Sequence, residues 1–128
     1  MGLFDKFYSK VTTESNVDWN ALTEIKQLDD ITAESFEIPV IIFKHSTRCG
    51  ISRMALKGFE VDFNQTDGEI KPYYLDLLHH REVSDAVAER FGVRHQSPQI
   101  LLIKDGICIF DTSHGDIDAT VLNEKIRH

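Results

Sequence analysis

Cysteine, proline and tryptophan are all scarce in this chain, at two, three and one among 128 residues. Two cysteines, Cys49 and Cys108, cannot build the disulfide framework that holds many small secreted domains together. In a reducing cytoplasm both would be free thiols, and a cytoplasmic location is the expectation. Long apolar runs are also missing. No stretch approaches the roughly 20 residues of a membrane span, and no charged segment leads into an apolar one. Neither stable membrane insertion nor secretion is therefore expected, and Lys6 breaks the pattern for acylation at Gly2. Basic residues are in deficit, 14 against 21 acidic ones, for a net charge of −7. That balance, without a lysine–arginine stripe, argues against nucleic acid as a partner. The six histidines show no ligand spacing with the cysteines, so no metal site is expected.

What is present suits one globular domain with its own core: 41% hydrophobic and 27% charged residues. Residues 1–16 stand apart as an amphipathic segment and linker. Leu3, Phe4, Phe7, Tyr8 and Val11 share a face if helical, and polar residues 12–16 follow. The domain proper is expected over 17–128. A short strand around Trp19 precedes a helix that Thr23 would cap, running to about Ser35 with Ile25, Leu28 and Ile31 inward. Pro39 opens an apolar strand to Phe43. Ile51, Ala55, Phe59 and Phe63 recur every four residues beside Met54, which predicts a helix buried on that side. A strand over 71–77 and a helix over 84–91, ended by Gly92, come next. Pro98 begins another strand, Asp105-Gly106 turns it into a hairpin, and 116–126 closes as a helix. The order βαβαβαββα predicts an α/β fold with a mixed central sheet and helices on both faces.

Within that order Phe43-Lys44-His45-Ser46-Thr47-Arg48-Cys49-Gly50-Ile51-Ser52-Arg53 is the most informative stretch. Cys49 falls where a strand ends and a helix begins. Helix N-terminal amides lack internal partners and carry partial positive charge, which favours a thiolate, the form that attacks disulfides. Lys44, His45, Arg48, Arg53 and Lys57 lie between Glu37 and Glu60 with no acid among them, against the acidic background of the whole chain. A cysteine flanked by Arg and Gly at a helix start is a poor core residue and a good candidate nucleophile. Cys108, between Ile107 and Ile109, reads as a buried free thiol. It would resolve a Cys49 disulfide only if the two Cα atoms came within about 7 Å.

The order of elements, a cysteine after the second strand and the segment Phe91-Gly92-Val93-Arg94-His95-Gln96-Ser97-Pro98-Gln99-Ile100 together resemble the thioredoxin-like superfamily over roughly 17–128. That resemblance implies a cis Ser97–Pro98 bond opposite the cysteine. The motif departs from Cys-x-x-Cys, because Ser52 occupies the place of the second cysteine and Phe43 that of a buried aspartate. More closely, Phe-Lys-His-Ser-Thr-x-Cys, Ile51-Ser52, Tyr74-Leu75-Asp76 and Gln96-Ser97-Pro98 resemble the bacilliredoxins of the YtxJ-like type, although many of these have proline where Gly50 stands. The resemblance implies a monothiol redox protein with Cys49 as the catalytic residue. Lys44, Thr47, Arg48, Gly50, Ser52, Ser97 and Pro98 would be its substrate-binding residues. It implies no bound cofactor, with bacillithiol as thiol co-substrate and bacillithiolated proteins and low-molecular-weight thiols as partners. Three other readings remain open on the residues: a monothiol glutaredoxin of Cys-Gly-x-Ser type using glutathione or an iron–sulfur cluster, an arsenate-reductase-like enzyme, and a thioredoxin-like binding module without thiol chemistry.

Overall fold

A computed structural model describes residues 17–63 and 69–127. The amphipathic pattern over 1–16 lies outside them. The elements are β1 (Asn20–Ala21), α1 (Gln27–Glu34), β2 (Val40–His45), α2 (Gly50–Asp62), β3 (Lys71–Asp76), α3 (Arg81–Phe91), β4 (Gln99–Lys104), β5 (Ile107–Ser113), a 3₁₀ turn (His114–Asp116) and α4 (Ala119–Arg127). The sheet runs β1-β3-β2-β4-β5. β1 and β2 pair with β3 in parallel, whereas β4 is antiparallel to both β2 and β5. This is the α/β order that the alternating sequence pattern predicts.

β2 is the axis of the molecule, and every one of its six residues is buried. Successive strand residues point to opposite faces, so β2 feeds two cores. Ile41 and Phe43 join Trp19, Leu56, Phe59, Phe63, Ala119 and Leu122 beneath α2 and α4. Val40 and Ile42 join Leu28, Ile31, Val83, Val87 and Leu101 beneath α1 and α3. Aromatic rings fill the first layer: Phe43 lies 5.8 Å from Trp19 and 5.5 Å from Phe59, centroid to centroid. The Trp19 indole donates to the buried Glu60 carboxylate at 2.7 Å, so its N–H is satisfied within that layer.

Several boundaries differ from those read in the sequence. β1 is only two residues long, and α1 begins at Gln27 rather than after Thr23. The Gln27 side-chain carbonyl accepts the Thr23 and Glu24 amides at 2.8 and 2.9 Å, organising that turn in place of a Thr23 cap. β2 continues two residues past Phe43, because Lys44 and His45 keep their ladder partners Leu75 and Asp76 on β3. The helix expected from Asp116 starts at Ala119, after the 3₁₀ turn. Gly92 does close α3 in the left-handed conformation, at φ +66°.

Between β4 and β5 the ladder slips once. Leu102 pairs with Phe110 but Ile103 pairs with Cys108, leaving Ile109 as an extra residue. Because of that bulge Phe110 packs toward the α2/α4 layer and Cys108 toward the α1/α3 layer, though they are two positions apart.

Candidate functional site

Cys49 caps α2 from just outside the helix, with extended backbone angles (φ −96°, ψ 120°) and an exposed side chain. Its amide donates to the Ser46 carbonyl at 3.1 Å, and its carbonyl accepts the Arg53 amide at 3.0 Å. The thiol makes no capping hydrogen bond of its own. The first amides of α2 thus remain available to an anion formed at or near the sulfur. No acidic residue lies in the first turn of the helix.

Ser52 stands one turn further on, and its position decides what this site can do. The residue is fully buried. Its Oγ accepts the Ser46 amide at 3.0 Å and lies 2.7 Å from His45 Nδ1. Burial pushes the His45 pKa down, only partly opposed by the Asp76 carboxylate, so the ring is neutral near pH 7. His45, Ser52 and Ser46 form one enclosed network that fixes the turn leading to Cys49. Arg53 adds a second tie, Nη1 donating to the Thr47 carbonyl at 3.1 Å. Ser52, which the resemblance implies as a substrate-binding residue, is held here by contacts inside the protein.

Lys44 is the second departure. The sequence predicts that it meets ligand carboxylates, but none of its surface is exposed, and among the described residues its ammonium has no hydrogen-bond partner. It points to the α1/α3 side, opposite His45. Burial lowers its pKa to about 8, with Asp85 opposing the shift. In this structure its side chain does not reach the surface. Arg48 is exposed beside Cys49, Thr47 is half-buried, and Gly50 is exposed with room for a side chain: an added Cβ would meet only Arg53 Nη2, at 4.0 Å.

The Ser97–Pro98 peptide is cis, with Pro98 buried and Ser97 half-buried at the head of β4. Gln99, which follows, is buried and braces the approach to Pro98. Its side-chain amide donates to the Arg94 carbonyl at 3.0 Å, and its side-chain carbonyl accepts the Gln96 amide at 3.4 Å. Sequence reasoning misses Gln99. Its direct ladder partner, Lys44, is the clue that a polar pair is enclosed there.

The helix face at the site is apolar where the four-residue spacing predicts burial. Ile51 and Met54 are 69% and 76% exposed, because α2 turns Ser52, Leu56, Phe59 and Glu60 inward instead. With Ala55, Gly58 and Ile117 they line an open groove of about 520 Å³ between α2 and the segment around Gly115. Cys108 does not belong to this site. It pairs with Ile103, which pairs with Val40, at the far end of β2 from His45. Five residues of strand separate those levels by roughly 16 Å, beyond disulfide reach. Cys108 is half-buried rather than fully enclosed, and burial lifts its pKa to about 11, so the thiol is protonated near pH 7. Among the described residues no cluster of His, Cys, Asp or Glu could hold a metal ion, and no helix is long and apolar enough to cross a membrane.

Residues 20–122 match the family model described as monothiol bacilliredoxin BrxC. A solved structure described as having a thioredoxin fold is 30% identical, with a TM-score of 0.70 over 81% of this chain and 89% of the other. Thioredoxin from Malassezia sympodialis superposes with a TM-score of 0.64 at 19% identity, covering 91% and 94% of the two chains. A mutant thioredoxin from Halobacterium salinarum gives 0.61 at 23% identity, covering 84% and 86%. At those identities the two thioredoxins bear on the fold alone.

Proposed function

Since the chain belongs to the monothiol bacilliredoxin family, we propose that it removes bacillithiol from protein mixed disulfides by exchange at Cys49, in the cytoplasm. The observation that carries this reading is a single exposed thiol at a helix N-cap, with a buried, internally bonded serine where a second cysteine would be needed.

The chemistry is two exchanges. Cys49 thiolate attacks the bacillithiol sulfur of the modified protein. The new bond joins Cys49 to bacillithiol, the old S–S bond breaks, and its electron pair leaves on the protein's cysteine, which takes a proton from solvent. A low-molecular-weight thiolate then attacks the Cys49 mixed disulfide, releases a small disulfide and restores the Cys49 thiolate. Ser52 cannot perform that second step and Cys108 is out of reach, so the recycling thiol comes from outside the chain. The helix amides and the exposed Arg48 stabilise the developing anion and attract a carboxylate-bearing thiol. Thr47, Gly50 and the Ser97–Pro98 backbone shape the surface on which the disulfide lies.

The test is intact-mass spectrometry of the reduced protein mixed with a bacillithiolated protein, with a glutathionylated one in parallel. Bacillithiol transferred to wild type and not to Cys49→Ser supports the proposal. Transfer of glutathione alone would move the assignment to the glutaredoxin class, and transfer of neither would leave a binding module.

A further inference from the structure

The buried ammonium of Lys44 has no role in the exchange steps above, yet a lone enclosed charge is costly to maintain. Its surroundings give it one. Lys44 sits five residues ahead of Cys49, at the end of β2 from which the thiol turn departs. Its ladder partner Gln99 holds the Arg94 carbonyl and Gln96 amide, so Lys44 sits beside the root of the strand end that delivers Ser97 and Pro98. From α3, buried Ser84 lies 3.3 Å from His95 Nδ1 on the same loop, and Asp85 and Arg81 are the charged neighbours. β3 offers only Leu75 at this level.

Burial and then the Lys44 charge push the His95 pKa below its ordinary value, so His95 is neutral at physiological pH. Among the described residues Lys44 is therefore the enclosed cation at this end of β2. Arg48 and Arg53 are exposed, so salt screens them, whereas an enclosed charge is screened far less.

We propose that Lys44 is a specificity-determining residue for Cys49, whose enclosed positive charge favours exchange with negatively charged disulfide partners. It acts through the field it projects past the Gln96–Pro98 loop and not by contact. This rests on exchange at Cys49 but on no particular thiol, so small disulfides test it apart from the bacillithiol assignment.

The experiment compares initial rates of the reduced protein with two probes, 5,5′-dithiobis(2-nitrobenzoate), which carries carboxylates, and 4,4′-dithiodipyridine, which is neutral between about pH 7 and 9.5. Taking the ratio of the two rates cancels the Cys49 thiolate fraction and the folded fraction. In wild type the anionic-to-neutral ratio should fall as pH rises through about 8, where Lys44 loses its proton. In Lys44→Met the ratio should be on the order of three- to ten-fold lower at pH 7 and flat with pH. High salt should shrink the ratio in both proteins while leaving wild type the larger. A Lys44→Met ratio equal to the wild-type ratio at pH 7 overturns the proposal. Equality reached because both rates fall by the same factor would make Lys44 a packing residue only.

Discussion

Two side chains on β2 and α2 show how a buried polar residue sets measurable behaviour. Lys44 titrates near its ordinary 10.5 in an unfolded chain and at about 8 when folded. Between those values the unfolded chain binds more protons, so stability rises with pH from about 8. Below 8 the penalty is fully present, on the order of 3 kcal/mol. Tyr73, lifted to about 12 by burial and by the Glu34 carboxylate, has the opposite effect above the ordinary tyrosine value of 10. There the unfolded chain loses tyrosine protons first, and stability turns down. Cys108, lifted by burial from 9 to about 11, turns stability down in the same way above its ordinary value, so denaturant titrations from pH 7 to 11 should show a shallow rise from about 8 and a maximum at about 9. Lys44→Met should be about 1–4 kcal/mol more stable at pH 7 and lack the rise. Ser52 has the contrary sign: Ser52→Ala strips the Ser46 amide and His45 of their buried partner. A loss of about 1–3 kcal/mol in urea unfolding is the expected result. The sequence singled out Cys49 as the candidate nucleophile through its helix-start context, and the structure places it exposed at a helix N-cap. It could not show that Lys44 and Ser52 point inward, because β2 runs two residues past its last apolar member.

At the level of single elements, α2 best separates what periodicity shows from what it hides. Its existence and its start beside Cys49 are legible in the spacing of Phe59 and Phe63, both of them buried. The face that the spacing predicts is rotated: Ile51 and Met54 are exposed, and Ser52 and Glu60 are buried. Hydrophobicity alone assigns isoleucine inward and serine outward. Here a hydrogen-bonded serine and a glutamate bonded to Trp19 occupy the core, and the apolar side chains line the groove next to the thiol. The first turn also yields a prediction. Gly50 is the first helical residue, its surroundings leave space for a side chain, and proline suits that position. Gly50→Pro should stabilise the protein by about 0.4–1 kcal/mol, through fewer unfolded conformations, and leave the circular dichroism spectrum unchanged. A measured loss instead would mean that the Gly50 amide or backbone angle is needed.

For the molecule as a whole, order and connectivity were readable because each connection carried its own signal: Gly92 after a helix, Asp105-Gly106 in a hairpin, Pro39 and Pro98 ahead of strands. The lengths of β1 and α4 were not, since tertiary pairing decides where short ends stop. Charge is distributed unevenly. Arg48, Arg53 and Lys57 are exposed around Cys49 on a protein of net charge −7. Such a local basic patch speeds the encounter with anionic thiols, and salt weakens it. The exchange rate with a carboxylate-bearing disulfide should therefore drop several-fold between about 20 and 300 mM salt. It should drop less in Arg48→Gln, as stopped-flow kinetics would show. The bulge at Ile109 also reaches beyond its own pair of strands. The tight turn at Asp105-Gly106 sets one register, with Lys104 opposite Ile107, while the Pro98 end sets another, with Gln99 opposite Ser113. The two are out of step by one residue, and Ile109 absorbs the difference. Deleting it would leave every observed pair in place and give a regular ladder, so the fold itself does not depend on it. What would change is the rim, because β5 is the outermost strand on its side of the sheet. An unbroken rim is an even template for a foreign strand, and a kinked one is not. The extra residue thus acts as a spacer that makes the molecule a poorer seed for its own aggregation.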